Sequence, residues 1–187
     1  MNAVVIGAST GGPSAVEKII VDLPKGLDTV YIVAQHLPGY ISETYCTRLN
    51  KLCKMPVVYM QHNKPLETDT IYIIPGDYHF LISGENTIYL LEATTTLSPS
   101  IDMAFTTIAE KFGHKTLGVI LTGMGEDGTL GCKAIKYLGG HVIAQDKESS
   151  TIYGMPKEVM LAGYANEILP LDKIAERIIE ILKKHEL

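Results

Sequence analysis

Short apolar runs alternate with helical segments over most of this 187-residue chain. Runs of this kind, with few polar residues, are typical of strands that are covered on both faces of a sheet. They predict strands at residues 3–6, 29–34, 56–60, 116–122, 141–144 and 167–169. Strands that alternate with helices indicate an α/β domain with a mostly parallel sheet.

The segments between these runs carry apolar residues every three or four positions, which predicts amphipathic helices. The predicted helices cover residues 13–23, 42–53, 98–112, 130–138 and 156–162, followed by a last helix from residue 172. Ser98-Pro99 is expected to cap the third helix, and Asp172 the last one. Gly139-Gly140 suits the end of the helix that covers residues 130–138.

The middle of the chain has a different pattern, with short β runs at residues 70–74, 80–83 and 87–91. Gly84-Glu85-Asn86 separates the last two runs, which predicts an antiparallel hairpin appended to the sheet. The predicted fold is therefore a three-layer, doubly wound α/β structure with a mostly parallel sheet and an antiparallel hairpin insertion. No linker or repeat divides the chain, so residues 1–187 are expected to form one domain.

Composition and charge narrow the classes of function. The apolar fraction is 46% and the charged fraction 20%, as in an ordinary globular protein. A net charge of −5 argues against a nucleic-acid surface. No run reaches the roughly 18 apolar residues of a membrane span, and no basic leader precedes the first strand. Cys46, Cys53 and Cys132 lack metal-type spacing. We therefore expect a cytoplasmic protein with free thiols, no metal and no cofactor.

The loop after the first strand, Gly7-Ala8-Ser9-Thr10-Gly11, fits the pattern G-x-S-x-G. This pattern places a serine on a sharp turn between a strand and a helix, and Gly7 is expected to permit that turn. A dinucleotide site would need glycine where Ser9 stands and an acid where the second strand ends in Gln35-His36. A nucleotide-binding oxidoreductase is therefore disfavoured, whereas a nucleophilic serine and a plain capping turn both stay open.

A nucleophilic serine needs a base and a group that orients the base. His36 follows the second strand, and the loop of residues 123–128 follows the strand at 116–122. Because parallel strands end at one edge of a sheet, Ser9, His36 and a carboxylate are expected to meet there. Spacing does not separate Glu126, Asp127 and Asp146 as the orienting acid, and Asp127 also suits the cap of the helix after it. The strand-flanking His79 and His141 are expected to be satisfied polar residues.

Four motifs in this order, GASTGG, AQHLP, TGMGEDG and AQDKESSTIYGMP, resemble those of the CheB-type chemotaxis receptor methylesterases. The resemblance runs from about residue 3 to the last helix. It implies hydrolysis of glutamate γ-methyl esters, and deamidation of certain glutamines, on the cytoplasmic helices of methyl-accepting chemoreceptors. It also implies that Ser9 is the nucleophile, His36 the base and Asp127 its orienting partner. Thr10 and Met124 would support the oxyanion, Met124 through its backbone N–H group.

Two features depart from the family pattern that the resemblance brings with it. The family usually carries a receiver domain ahead of this one, so we expect a standalone enzyme or one controlled by a separate regulatory protein. The segment of residues 96–102 (TLSPSID) lacks the His and Arg usual there, which predicts altered substrate recognition. The alternative function is a catalytically idle scaffold that binds a receptor or a signalling partner.

Overall fold

The computed structural model describes residues 1–95 and 97–184. The strands are β1 (Asn2–Ala8), β2 (Thr29–Gln35), β3 (Val57–Tyr59), β4 (Thr70–Ile73), β5 (Tyr78–Ser83), β6 (Thr87–Glu92), β7 (Thr116–Ile120), β8 (His141–Gln145) and β9 (Glu167–Leu169). The α-helices are α1 (Gly12–Ile20), α2 (Gly39–Leu52), α3 (Ile101–Phe112), α4 (Thr129–Tyr137), α5 (Met155–Leu161) and α6 (Leu171–Lys184). Among these residues no helix has the length and apolar character needed to cross a bilayer.

Seven strands form one parallel sheet in the order β3-β4-β2-β1-β7-β8-β9. The chain builds one half of the sheet outward from β1 and then returns to build the other half from β7. The reversal leaves a crevice at the carboxyl ends of β1 and β7, the usual position of a ligand site in such sheets. The prediction of a doubly wound, mostly parallel sheet is confirmed.

Apolar side chains cover both faces of this sheet. Helices α1, α2 and α6 pack on one face, where Ile19, Leu49 and Ile178 are fully buried. On the other face lie α3, α4 and α5, together with Phe105 and Ile135. Each helix presents its apolar face to the sheet, so the three layers follow from the helical periodicity of the sequence.

The middle of the chain differs from its prediction in one respect. Strand β4 joins the main sheet between β3 and β2, and β5 and β6 form a separate two-stranded antiparallel sheet. The hairpin was therefore correctly expected, but its attachment to the main sheet was wrong. Phe80 and Ile88 of the hairpin are buried in the same core cluster as α3, so apolar packing on the helix layer holds the hairpin in place.

Three predicted helix starts also need correction. Helix α2 begins at Gly39 and not at residue 42. Helix α3 begins at Ile101 and is capped by Ser100, whose Oγ accepts the N–H of Met103 at 3.2 Å. Ser98 lies two residues before the cap position, and its hydroxyl donates to the carbonyl of Gly76. Helix α6 begins at Leu171, which places Asp172 inside its first turn.

Gly7 serves close packing and not the turn that was expected of it. It lies within β1, and a Cβ atom there would come 2.5 Å from the Ile101 side chain. Glycine therefore lets the first turn of α3 approach β1. This approach brings the beginning of α3 to the carboxyl edge of the sheet, next to the predicted site.

Candidate active site

Ser9 directly follows β1 and stands at the start of a tight turn into α1. Its N–H group donates to the carbonyl of Thr122 at 3.0 Å, and its own carbonyl accepts the N–H of Gly12 at 2.8 Å. Gly11 has a φ of 81°, a left-handed conformation that glycine adopts without strain. The backbone of Ser9 is thus fixed on both sides, while the residue stays partly exposed.

His36 follows β2, the strand paired with β1. Ala8 and Gln35 are register partners, and the N–H group of His36 donates to the carbonyl of Ala8 at 3.0 Å. Because neighbouring strands lie about 4.8 Å apart, this register sets Ser9 and His36 side by side. The side chain of His36 is only 7% exposed, and its Nε2 lies 2.9 Å from Oδ2 of Asp127.

Asp127 is held by several donors at once. Its Oδ2 accepts the N–H of Ile101 at 2.9 Å, and its Oδ1 accepts that of Asp102, also at 2.9 Å. Burial alone would raise the pKa of the Asp127 carboxyl, but the hydrogen bonds from His36 and from these two amides outweigh burial, so its pKa is lowered. Asp127 is therefore an ionised acceptor at neutral pH.

The charge on Asp127 decides which nitrogen of His36 carries the hydrogen. An ionised carboxylate only accepts, so Nε2 of His36 must donate to it, and Nδ1 of the neutral ring keeps its lone pair. Nδ1 is buried and has no partner within the part of the chain that the structure describes. The ring therefore presents an unused basic nitrogen, which is what a general base requires.

The structure separates the three acids that spacing left open. Asp127 contacts His36, whereas Glu126 is exposed and Asp146 binds the N–H and hydroxyl of Ser149 at 2.9 and 2.6 Å. Asp127 does cap a helix, but the helix is α3 and not the α4 that follows it in sequence.

Asp102, in the first turn of α3, caps α4 in return. Its Oδ1 accepts the N–H groups of Gly128 and Gly131 at 2.9 and 2.8 Å. Burial raises the pKa of the Asp102 carboxyl, and the nearby charge of Asp127 acts in the same direction. The two carboxylates thus cap each other's helix. This role of Asp102 was not expected from the sequence, because an acid in the first turn indicates only the start of its own helix.

The loop that carries Asp127 passes directly against Ser9. A Cβ atom on Gly123 would lie 2.7 Å from Cβ of Ser9, so only glycine allows this approach. The N–H groups of Thr10 and Met124 donate to no acceptor among residues 1–95 and 97–184. Met124 is 75% exposed, so the loop that carries its free N–H group lies at the surface. No hydrogen bond joins the Ser9 hydroxyl to His36 within the described residues.

Buried polar side chains at strand ends hold these loops, and the sequence analysis missed them. Thr122 Oγ1 donates to the carbonyl of Thr10 at 2.9 Å and accepts the N–H of Ile152 at 2.9 Å. Gln35 Nε2 donates to the carbonyls of Ser9 and His36 at 2.9 and 3.2 Å. Both side chains are 1% exposed. Their signal in the sequence was a polar residue at the carboxyl end of an apolar strand.

An open cleft of about 600 Å³ lies beside Asp127, with Leu97, Met103 and Met124 among its lining residues. A second depression, of about 460 Å³, lies on the side of His36. Thr96, which belongs to the segment expected to alter substrate recognition, lies outside the described residues. A hydroxyl, an unused imidazole nitrogen and free amides at one edge are the groups that acyl transfer to a serine uses.

Comparison with known proteins shows the family of the chain. The model of the family described as CheB methylesterase matches residues 4–178. A protein-glutamate methylesterase/protein-glutamine glutaminase of Thermotoga maritima is 38% identical over 184 residues, and the match covers 96% of this chain and 54% of that protein. One from Carboxydothermus hydrogenoformans is 42% identical over 182 residues, covering 94% and 54%. The chain spans about half the length of the curated relatives it matches.

A solved structure is similar over nearly its whole length. The crystal structure of the Thermotoga maritima CheB methylesterase catalytic domain superimposes with a TM-score of 0.92 at 38% identity, covering 96% of this chain and 98% of that one. The likeness therefore extends to the arrangement of the strands and helices that form the site.

Proposed function

Because the chain belongs to the CheB methylesterase family, we propose that it hydrolyses glutamate γ-methyl esters of a protein substrate with Ser9 as its nucleophile. The observation that carries the proposal is the contact of His36 Nε2 with Asp127, which leaves Nδ1 as an unused base beside Ser9. Relatives named protein-glutamate methylesterase/protein-glutamine glutaminase support the same chemistry and add glutamine as a second substrate.

The reaction begins at the serine hydroxyl. His36 Nδ1 takes the proton of Ser9 Oγ while Oγ attacks the carbonyl carbon of the ester. The N–H groups of Thr10 and Met124 donate to the oxyanion of the tetrahedral intermediate. The C–O bond to the methoxy group then breaks, and the leaving oxygen takes the proton from Nδ1 and departs as methanol. A glutamine substrate would release ammonia by the same route.

Water completes the cycle. It attacks the acyl-enzyme carbonyl while Nδ1 of His36 takes one of its protons, and the second tetrahedral intermediate expels Ser9 Oγ, which recovers that proton. In both halves of the reaction the ionised Asp127 stabilises the imidazolium ring and fixes its orientation. The missing hydrogen bond between Ser9 and His36 fits this mechanism, because such bonds often tighten only in the complex with substrate.

The same proposal extends to partners and location. The substrate would be the cytoplasmic helices of a methyl-accepting chemoreceptor, and the protein would act in the cytoplasm. Residues 1–187 would act as one catalytic domain. An idle scaffold that only binds a receptor has less support, because it would not need a buried, ionised partner for His36.

Substitution of the nucleophile and the base tests the proposal. Loss of the serine from such a triad lowers kcat by about 10⁶, so Ser9→Ala and His36→Ala should show no measurable methanol release from a methylated receptor fragment. Ser14→Ala is the control, since Ser14 lies exposed on α1, the helix that follows Ser9, and should leave the rate unchanged. A fluorophosphonate probe should label the wild type but not Ser9→Ala.

Two results would contradict the proposal. One is methanol release by Ser9→Ala at the wild-type rate. The other is a folded wild-type protein that binds the receptor fragment, releases no methanol and takes up no probe, as the idle scaffold would.

A further inference from the structure

His79 is a second histidine at this edge whose ring is fixed by a helix. It lies on β5, and its Nδ1 accepts the N–H of Ser100, the N-cap residue of α3, at 3.0 Å. A nitrogen that accepts an N–H bond carries no hydrogen of its own, so the hydrogen of the neutral ring sits on Nε2. The helix therefore fixes the tautomer of His79 and makes Nε2 a donor.

The same helix end holds Asp127. The N–H of Ser100 donates to His79, and those of Ile101 and Asp102 donate to Asp127. Both side chains are thus positioned by consecutive amides of one turn. The backbone of α3 therefore fixes the position of His79 relative to Asp127.

Nε2 of His79 is the polar atom of the ring left open. It has no hydrogen-bond partner among the described residues, and it is not one of the buried unpartnered atoms. His79 lines the cleft of about 600 Å³ that is also lined by Met124 and Asp127. These two residues belong to the loop whose Gly123 packs against Ser9, so a donor with no protein partner lies in a cleft beside that loop.

The surroundings of the cleft select what this donor would bind. Leu97, Met103 and Met124 give it apolar walls, while Asp102, Glu126 and Asp127 supply acidic groups along it. A carboxylate of the substrate would meet like charges there. A neutral carbonyl oxygen would meet a matching donor and no repulsion.

We propose that His79 is a substrate-binding residue, whose Nε2–H donates to a neutral carbonyl oxygen of the protein segment next to the reacting side chain. The proposal rests on the proposed function, since it names a contact of the same substrate. His79 takes no part in the proton transfers of His36. Its contribution falls on binding, and a small ester or phosphonate that does not fill the cleft gains nothing from it.

Two substitutions separate this binding role from the capping of α3. His79→Asn places an amide oxygen near the position of Nδ1, which keeps an acceptor for Ser100 but removes the donor at Nε2. His79→Gln places an NH₂ group near the position of Nε2, which keeps the donor but removes the acceptor. One net hydrogen bond corresponds to about 0.5–1.5 kcal/mol, or roughly 2- to 12-fold in binding.

We expect His79→Asn to raise KM for a methylated receptor fragment about 3- to 10-fold, with kcat and fluorophosphonate labelling close to wild type. His79→Gln should keep KM near the wild-type value. His62→Asn is the matched control, because Nδ1 of His62 also accepts a backbone N–H, that of Leu90 at 3.1 Å. Its ring packs at a tilt of 58° against Tyr89 and does not line the cleft. His62→Asn should leave KM unchanged.

An unchanged KM in His79→Asn would overturn the proposal. So would equal increases in His79→Asn and His79→Gln, or in His79→Asn and His62→Asn, because a purely structural role predicts them. Circular dichroism checks that each variant is folded. Turnover by the wild-type protein distinguishes a failure of this proposal from a failure of the proposed function. Absence of wild-type turnover contradicts the function itself, whereas normal turnover with an unchanged KM contradicts only the role of His79.

Discussion

Helices α1 and α3 both begin at the carboxyl edge of the sheet, but side chains cap only the beginning of α3. At α3 the first amides are taken up by side chains of His79, Asp127 and Ser100. At α1 the N-cap is Gly11, with no side-chain cap and no acid in the first turn. The N–H group of Thr10 just before it has no acceptor among the described residues.

The difference shows how one kind of structure serves two purposes. A helix N-terminus carries a partial positive charge and free N–H groups. Where the protein supplies a carboxylate, as at α3, the result is a fixed, ionised Asp127. At the turn before α1 no side chain caps the amides, and the N–H of Thr10 stays free among the described residues, so in the proposed reaction it can donate to the developing oxyanion. A capping side chain at Gly11 would compete with that oxyanion.

Asp127→Asn alters the capped beginning of α3 and should have the largest effect on the rate. An asparagine has one NH₂ group in place of a carboxylate oxygen. If this group faces His36, the ring takes the wrong tautomer; if it faces α3, an acceptor for the helix is lost and the orientation of His36 changes. We expect kcat to fall by about 10⁴, measured as methanol release. Asp146→Asn is the control, since Asp146 binds Ser149 and should change the rate little. Equal losses in the two variants would contradict the assignment of Asp127.

Thr122→Val tests the uncapped turn before α1. Without the hydroxyl the carbonyl of Thr10 loses its donor, so the free N–H of Thr10 is less well aimed. Loss of a whole oxyanion donor costs about 10²–10³, and misplacement should cost roughly 10- to 100-fold in kcat with KM little changed. Thr122→Ser should restore most of the rate. Thr107→Val, which removes a buried hydroxyl that bonds Ile82 on the hairpin, should leave kcat unchanged.

Asp102 allows a smaller test, on stability. Asp102→Ala removes the acceptor for Gly128 and Gly131 and should lower the free energy of unfolding by about 1–2 kcal/mol. Asp102→Asn keeps an acceptor oxygen but cannot ionise. Urea denaturation at several pH values would compare these variants with the wild type.

The pH dependence of that comparison has a defined sign. Because burial raises the folded-state pKa of Asp102, its contribution to stability is present below the unfolded pKa, about 3.9, and is lost as the pH rises through the folded pKa. The free energy of unfolding of the wild type, relative to Asp102→Asn, should therefore fall as the pH is raised from about 3 to about 7. A relative increase over that range would contradict this account.

Much of the fold follows from local patterns in the sequence. Strand β9 lies at residues 167–169 as predicted, and β8 extends the predicted 141–144 by one residue. Periodicity gave no information on where the β5–β6 hairpin docks, because its turn specifies only the pairing of its own two strands. The start of α3 was misplaced because Ser98 and Ser100 are equally good caps by type, and only tertiary contacts decide between them.

The candidate site was predictable to the extent that it depends on strand ends. Ser9 and His36 were expected at one edge because parallel strands end together, and the structure places them there. The choice of Asp127 over Asp146 depends on which loop reaches His36, and its choice over Glu126 depends on which side chain of that loop turns inward. Spacing encodes neither. The catalytic roles of these residues stay predictions until variants are measured.

Asp102 and Asp127 illustrate why the remaining contacts escaped the sequence. Each caps the helix that the other belongs to or precedes, so the signal is a pair of residues far apart in the chain. Gln35 and Thr122 form their contacts with backbone carbonyls, which leave no trace in the type of the partner residue.

The exchange of caps between α3 and α4 has a consequence for local unfolding. Fraying of one helix end would release the carboxylate that holds the other, so the amides of Ile101, Asp102, Gly128 and Gly131 should open together as one cooperative unit. Hydrogen exchange at these four positions would then proceed with a common protection factor.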